Sequence, residues 1–156
     1  MGINTVRNIT LGNWHSCAVK DDGDVYCWGN NSSGELGTGD TTDRTTPTIV
    51  MGINSVRYIT LGSYHSCIVD DDGDLYCWGY NNRGQLGTGD KTERSTPTIV
   101  VGINSIKNIA LGEYHSCAVD DDGDVYCWGY NNRGQLGTGD TTNQTDRSTP
   151  TLIITN

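Results

Sequence analysis

A 50-residue repeat, strand-like alternation within each repeat and the lack of any helical apolar stripe together predict an all-β fold. The architecture that fits is a β-propeller of four-stranded antiparallel blades, three of them in the 156-residue chain. Gly-Ile-Asn recurs at residues 2, 52 and 102, Leu-Gly at 11, 61 and 111, and Cys-Trp-Gly at 27, 77 and 127. Residues 51–90 and 101–140 are identical at 32 of 40 positions, so one local fold must serve every unit. The units run about 1–50, 51–100 and 101–156, the third carrying three extra residues in its last loop. Such close identity points to a young amplification of one blade or to a constructed protein.

The second unit shows the elements in order. Residues 56–61, 65–70 and 74–79 are short runs rich in Val, Ile, Thr, Tyr and Trp, the side chains that suit a pleated surface. The remaining strand is 47–50 or its counterpart 97–100, and residues 80–96 form a long loop. Asp71-Asp72-Gly73 suits a three-residue hairpin turn with the glycine in the left-handed region. Asp70 and Asp74 then close the hairpin, and counting back sets Cys67 opposite Cys77. The same count pairs Cys17 with Cys27 and Cys117 with Cys127. These are non-hydrogen-bonded positions, where Cα atoms approach to about 4.5 Å, near the lower end of what a disulfide accepts. Disulfide and buried thiol pair both remain open. Oxidised pairs would imply an extracellular setting, reduced ones a cytoplasmic setting.

The register also sorts the faces. His65, Cys67, Val69, Leu75 and Cys77 share one side, and Ser66, Ile68, Tyr76 and Trp78 share the other. Both sides are apolar, so both must be covered, as happens when blades stack around an axis.

Charge narrows the function classes. Ten basic residues against 19 acidic ones give a net of −9, which disfavours nucleic acid and anionic membranes as partners. No apolar run is long enough for a membrane-spanning helix.

Specific motifs then carry a family likeness. Tyr64-His65-Ser66-Cys67, Asp72-Gly73-Asp74-Leu75-Tyr76-Cys77-Trp78-Gly79, Asn82-Arg83-Gly84-Gln85-Leu86-Gly87-Thr88-Gly89-Asp90 and Thr96-Pro97 recur in all three units with small changes. The chain resembles the regulator of chromosome condensation repeat family. That resemblance implies a propeller, usually of seven blades. Its members include a nucleotide-exchange factor for a small nuclear GTPase, a plant ultraviolet-B photoreceptor and many bacterial proteins of unassigned role.

Three blades do not close a ring, because propellers need roughly four to eight. The expectation is therefore a homodimer, a six-bladed ring of two half-rings. In it the tail 149–155 completes the first blade of a partner chain. Leu152, Ile153 and Ile154 would supply this strand exchange, and Ile3, Val6 and Ile9 would receive it.

Other constellations are weaker. His15, His65 and His115 each precede a cysteine by two residues, yet a fourth zinc ligand is missing. The Asp-Asp-Gly-Asp turns resemble part of a calcium loop but lack its length and closing glutamate. His65 and Ser66 are adjacent on one strand and point to opposite faces, so they do not form a catalytic pair. Asp40 with Arg44, Asp90 with Arg94 and Asp140 with Arg147 bracket the long loops as staples. The expectation is a non-enzymatic protein-binding scaffold with no catalytic residue, metal or cofactor, a protein ligand meeting a ring face. The alternatives are a guanine-nucleotide exchange factor, implied by the resemblance, and a calcium-dependent or carbohydrate-binding module.

Overall fold

The computed structural model describes residues 5–141 and 145–155. It contains three four-stranded antiparallel sheets and, among the described residues, no helix. The first blade is β1 (Val6–Leu11), β2 (His15–Lys20), β3 (Val25–Gly29) and β4 (Arg44–Ile49). The second is β5 (Val56–Leu61), β6 (His65–Asp70), β7 (Leu75–Gly79) and β8 (Arg94–Ile99). The third is β9 (Ile106–Leu111), β10 (His115–Asp120), β11 (Val125–Gly129) and β12 (Arg147–Ile154). Within each blade the strands lie in chain order, and β5 touches both β1 and β9, so the first strands are innermost and the fourth form the rim.

The strand after each long loop closes the blade it follows rather than opening the next one. Thr98 stands opposite Cys77 and, in the third blade, Thr151 opposite Cys127. This corrects the expected tail exchange: Leu152, Ile153 and Ile154 belong to β12, paired with β11 of the same chain. The cause is the long loop, which folds back on the strand it leaves. All three sets of four strands are thereby complete within one chain. Of the expected receiving residues, Val6 and Ile9 lie on β1, and Ile3 lies outside the described residues.

The hairpin register places Cys67 opposite Cys77 and Val69 opposite Leu75, with the Asp70 N–H donating to the Asp74 carbonyl at 3.1 Å. The turn needs its glycine twice over. Gly73 has φ +85°, and a Cβ there would sit 3.1 Å from the backbone of Ser105 in the next blade. Asp70 Oδ1 accepts the N–H groups of Asp72 and Asp74, so the first carboxylate of the acidic run organises the turn.

The core lies between blades. Cys17, Val19, Val25 and Cys27 of the first blade pack against Ile59, Ile68 and Trp78 of the second. Cys67, Val69, Leu75 and Cys77 repeat this against Ile109, Ala118 and Trp128. Each disulfide face thus covers the tryptophan face of the following blade, as the two-sided apolar pattern requires. The two outer faces differ from their internal counterparts. Ile9 is 60% exposed where the equivalent Ile59 and Ile109 are 4% and 6%. Trp28 is partly exposed, while Trp78 and Trp128 are fully buried. At the other end Cys117, Val119 and Val125 are half-buried, whereas Cys67, Val69 and Leu75 are completely covered.

Candidate functional site

The chemistry of this molecule is concentrated at the joints between blades. His15 Nε2 lies 2.9 Å from Ser66 Oγ, and Ser66 Oγ donates to the Glu35 carbonyl at 2.8 Å. Trp78 Nε1 donates to the same carbonyl at 2.8 Å. The second joint repeats the set: His65 to Ser116, with Ser116 and Trp128 both donating to the Gln85 carbonyl. A serine that spends its proton on a carbonyl must accept from histidine, so each imidazole carries its proton on Nε2. Burial holds both rings neutral, lowering His15 to about 4 and His65 to about 3. Nδ1 of His65 is buried without a hydrogen-bond partner among the described residues, so protonation there would strand a donor.

Histidine and serine therefore do meet within hydrogen-bond reach, across blades rather than along a strand. Sequence reasoning missed this contact, whose partners lie 51 residues apart. It is not a nucleophile–base pair. Ser66 and Ser116 are fully buried, and their protons are committed to backbone carbonyls.

The cysteines are joined as Cys17–Cys27, Cys67–Cys77 and Cys117–Cys127, with Cα atoms 4.1–4.2 Å apart. Disulfide formation removes the thiolates that a His-x-Cys…Cys zinc site would need.

The loop that supplies the accepting carbonyl is built around an asparagine that the sequence reading did not single out. Asn81 is fully buried; its Nδ2 donates to the carbonyls of Asp90 and Thr92, and its Oδ1 accepts from Leu86 N–H at 3.0 Å. Asn31 and Asn131 repeat the position, and this recurrence two residues after the Trp-Gly of every unit was the available signal. Replacing Asn81 by alanine strands several buried backbone groups. The expected cost is about 3 kcal/mol, read as a fall in the urea midpoint of unfolding. At the loop mouth Arg44, Arg94 and Arg147 sit 2.6–2.8 Å from Asp40, Asp90 and Asp140. The Thr92 N–H and then Arg94 hold Asp90 below the usual carboxylate range. Exposed as these pairs are, Arg94→Ala is expected to cost under about 1 kcal/mol in the same measurement.

One end of the joints carries aromatic rings. Tyr64 stacks on Tyr114 with centroids 5.3 Å apart, and Tyr80 is tilted 6.2 and 5.9 Å from the two. These rings, with Ser32, Ser33 and Glu35, line an open cavity of about 300 Å³. Burial raises the Glu35 carboxyl above its ordinary value, with Glu93 and Asp43 adding repulsion. Trp14, which takes the tyrosine's place in the first blade, is 67% exposed.

Known proteins share this architecture. The chain superposes on the solved propeller Prp20p of Saccharomyces cerevisiae with a TM-score of 0.87 at 28% identity, covering 98% of this chain and 39% of that one. Ras guanine nucleotide exchange factor C of Dictyostelium discoideum is 47% identical over 49 residues, 31% of this chain and 3% of that protein. The ultraviolet-B receptor UVR8 of Arabidopsis thaliana is 45% identical over 42 residues, 27% of this chain and 10% of the receptor. The chain thus spans a small fraction of these relatives' own length. The family model for the RCC1-like domain matches residues 1–156, and the chain belongs to that family.

Proposed function

We propose that this chain is a non-enzymatic, protein-binding propeller unit that joins a second copy head to tail, two three-blade chains making a six-blade ring. The observation that carries this reading is the pair of unlike but complementary end faces. The first blade presents Ser16, Ile9 and Trp28 without a preceding disulfide face, and the third presents His115 and the Gln135 loop without a following tryptophan face. A second copy would repeat the internal joint, His115 meeting Ser16, with Ser16 and Trp28 both donating to the Gln135 carbonyl. Two such head-to-tail contacts close into a ring with twofold symmetry. No strand changes chains, because β12 stays in its own blade.

Protein binding is supported by membership of the RCC1-like family and by likeness to Prp20p, for which binding to Gsp1p and histones is described. The net charge of −9 supports a protein partner over nucleic acid or an anionic membrane. The three disulfides support an oxidising, extracellular setting.

The test compares elution and light scattering of the chain with those of Ile9→Glu, a charge set on the open tryptophan face. The unmodified chain is expected to run as two copies and the variant as one, with unchanged far-ultraviolet circular dichroism. A variant that still runs as two copies would overturn the proposed contact.

A further inference from the structure

The two internal joints have the same backbone, yet the second contains two cations that the first does not. In the second joint the Arg83 guanidinium lies 4.5 Å from the centre of the Tyr130 ring and 3.6 Å from Asp146. Lys91 Nζ lies 3.5 Å from the same carboxylate, whose side chain is 4% exposed. One repeat earlier, Tyr130 corresponds to Tyr80 and Asp146 to Glu93, each the residue before the loop-closing arginine. Arg83 and Lys91 correspond to Ser33 and Thr41. The ring and the acid are kept and both cations are gone.

A further change adds negative charge. Gln85 of the second joint is Glu35 in the first, and Glu35 is 2% exposed. The backbone is not rearranged to compensate: Ser33 N–H donates to Glu35 Oε2 at 2.8 Å as Arg83 N–H donates to Gln85 Oε1 at 3.1 Å. Ser33 Oγ donates to Glu93 Oε1 at 3.3 Å. Where the arginine would lie there is the open, tyrosine-lined cavity of about 300 Å³, ample for a guanidinium group.

We propose that the groove between the first and second blades binds an arginine side chain of a partner protein. Its guanidinium would lie on Tyr80 beside Glu93 and Glu35, as Arg83 lies on Tyr130 beside Asp146. A planar, weakly hydrated guanidinium suits an aromatic face and a carboxylate better than a compact ammonium does. The site lies wholly within one chain and is independent of ring closure.

The test uses the intact chain and the blocked tripeptide acetyl-Gly-Arg-Gly-amide, followed by the aromatic proton signals of Tyr64, Tyr80 and Tyr114. The citrulline tripeptide, equal in shape and uncharged, is the control. The arginine peptide is expected to shift these signals and to bind at least tenfold more tightly than the citrulline peptide. Ser33→Arg, which restores the guanidinium of the second joint, is expected to abolish binding. Glu35→Gln, which copies Gln85, is expected to weaken binding at least fivefold. Both replacements already fold in the neighbouring repeat, and circular dichroism checks that they fold here. Undiminished binding by both variants would assign the peptide to the general acidic surface and overturn the proposal. So would equal affinity for citrulline, or no shift at about 20 mM peptide, a concentration weaker than any specific protein contact needs.

Discussion

Trp78→Ala is expected to lower stability by about 3–5 kcal/mol. The indole is fully buried between the first two blades, in contact with the disulfide face that holds Cys17 and Cys27. Removing it opens a cavity walled by β-strands whose registers are fixed, so the site cannot collapse to fill the space. It also removes one of two donors from the Glu35 carbonyl, leaving Ser66 alone there. The matching change at the open end separates packing from assembly. Trp28 is partly exposed within the chain. Trp28→Ala is therefore expected to cost a dilute monomer less than half as much, and to act mainly on self-association. Urea unfolding of the two variants, at a concentration where association is absent, reads the difference directly. Equal costs would mean that the end face is already covered within the chain.

Acidification from pH 7 to pH 4 is expected to remove an increment of stability at least as large. His15 and His65 titrate near 6.5 when unfolded and at about 4 and about 3 when folded. Between these values the unfolded chain takes up protons that the folded chain refuses, so the stability present above pH 6.5 is lost as pH falls through the window. The loss is on the order of 3 kcal/mol for His15 and somewhat more for His65. Glu35 acts in the opposite sense: its carboxyl is raised, so the folded chain gains protons there first and is favoured as pH falls. Asp40, Asp90 and Asp140 are lowered below their ordinary value of 3.8, so their contribution disappears only in stronger acid. His65→Gln keeps a donor toward Ser116 and removes the titrating group. Burial lowers His115 as well, so the slope of stability against pH between 6.5 and 4 should fall by up to about half in that variant, and an unchanged slope would contradict the assignment.

The local fold was legible because it follows from short-range chemistry. Asp71-Asp72-Gly73 defines a turn, the turn defines a register, and the register places Cys67 opposite Cys77. Alternation then gives two apolar faces, which only stacked blades can cover. Blade membership of the fourth strand was not legible. Residues 94–99 lie fourteen residues after β7 and six before β9, so proximity favours the wrong neighbour. The structure chooses the longer connection because Asn81 knots it into a compact loop, while the shorter one crosses between blades. The His–Ser–carbonyl contacts were invisible for a related reason, since each joins two blades and no spacing within one repeat reveals it. The tyrosine-lined groove depends on small departures between copies, Ser33 for arginine and Glu35 for glutamine, whose meaning appears only once the joints are superposed.

Sedimentation equilibrium of the unmodified chain at neutral pH tests the central claim most directly, because complementary end faces must either meet or stay exposed. Two joined copies would have a mass of about 34 kDa, twice the 16.9 kDa of one chain. A single species near 17 kDa across a wide concentration range would contradict the account.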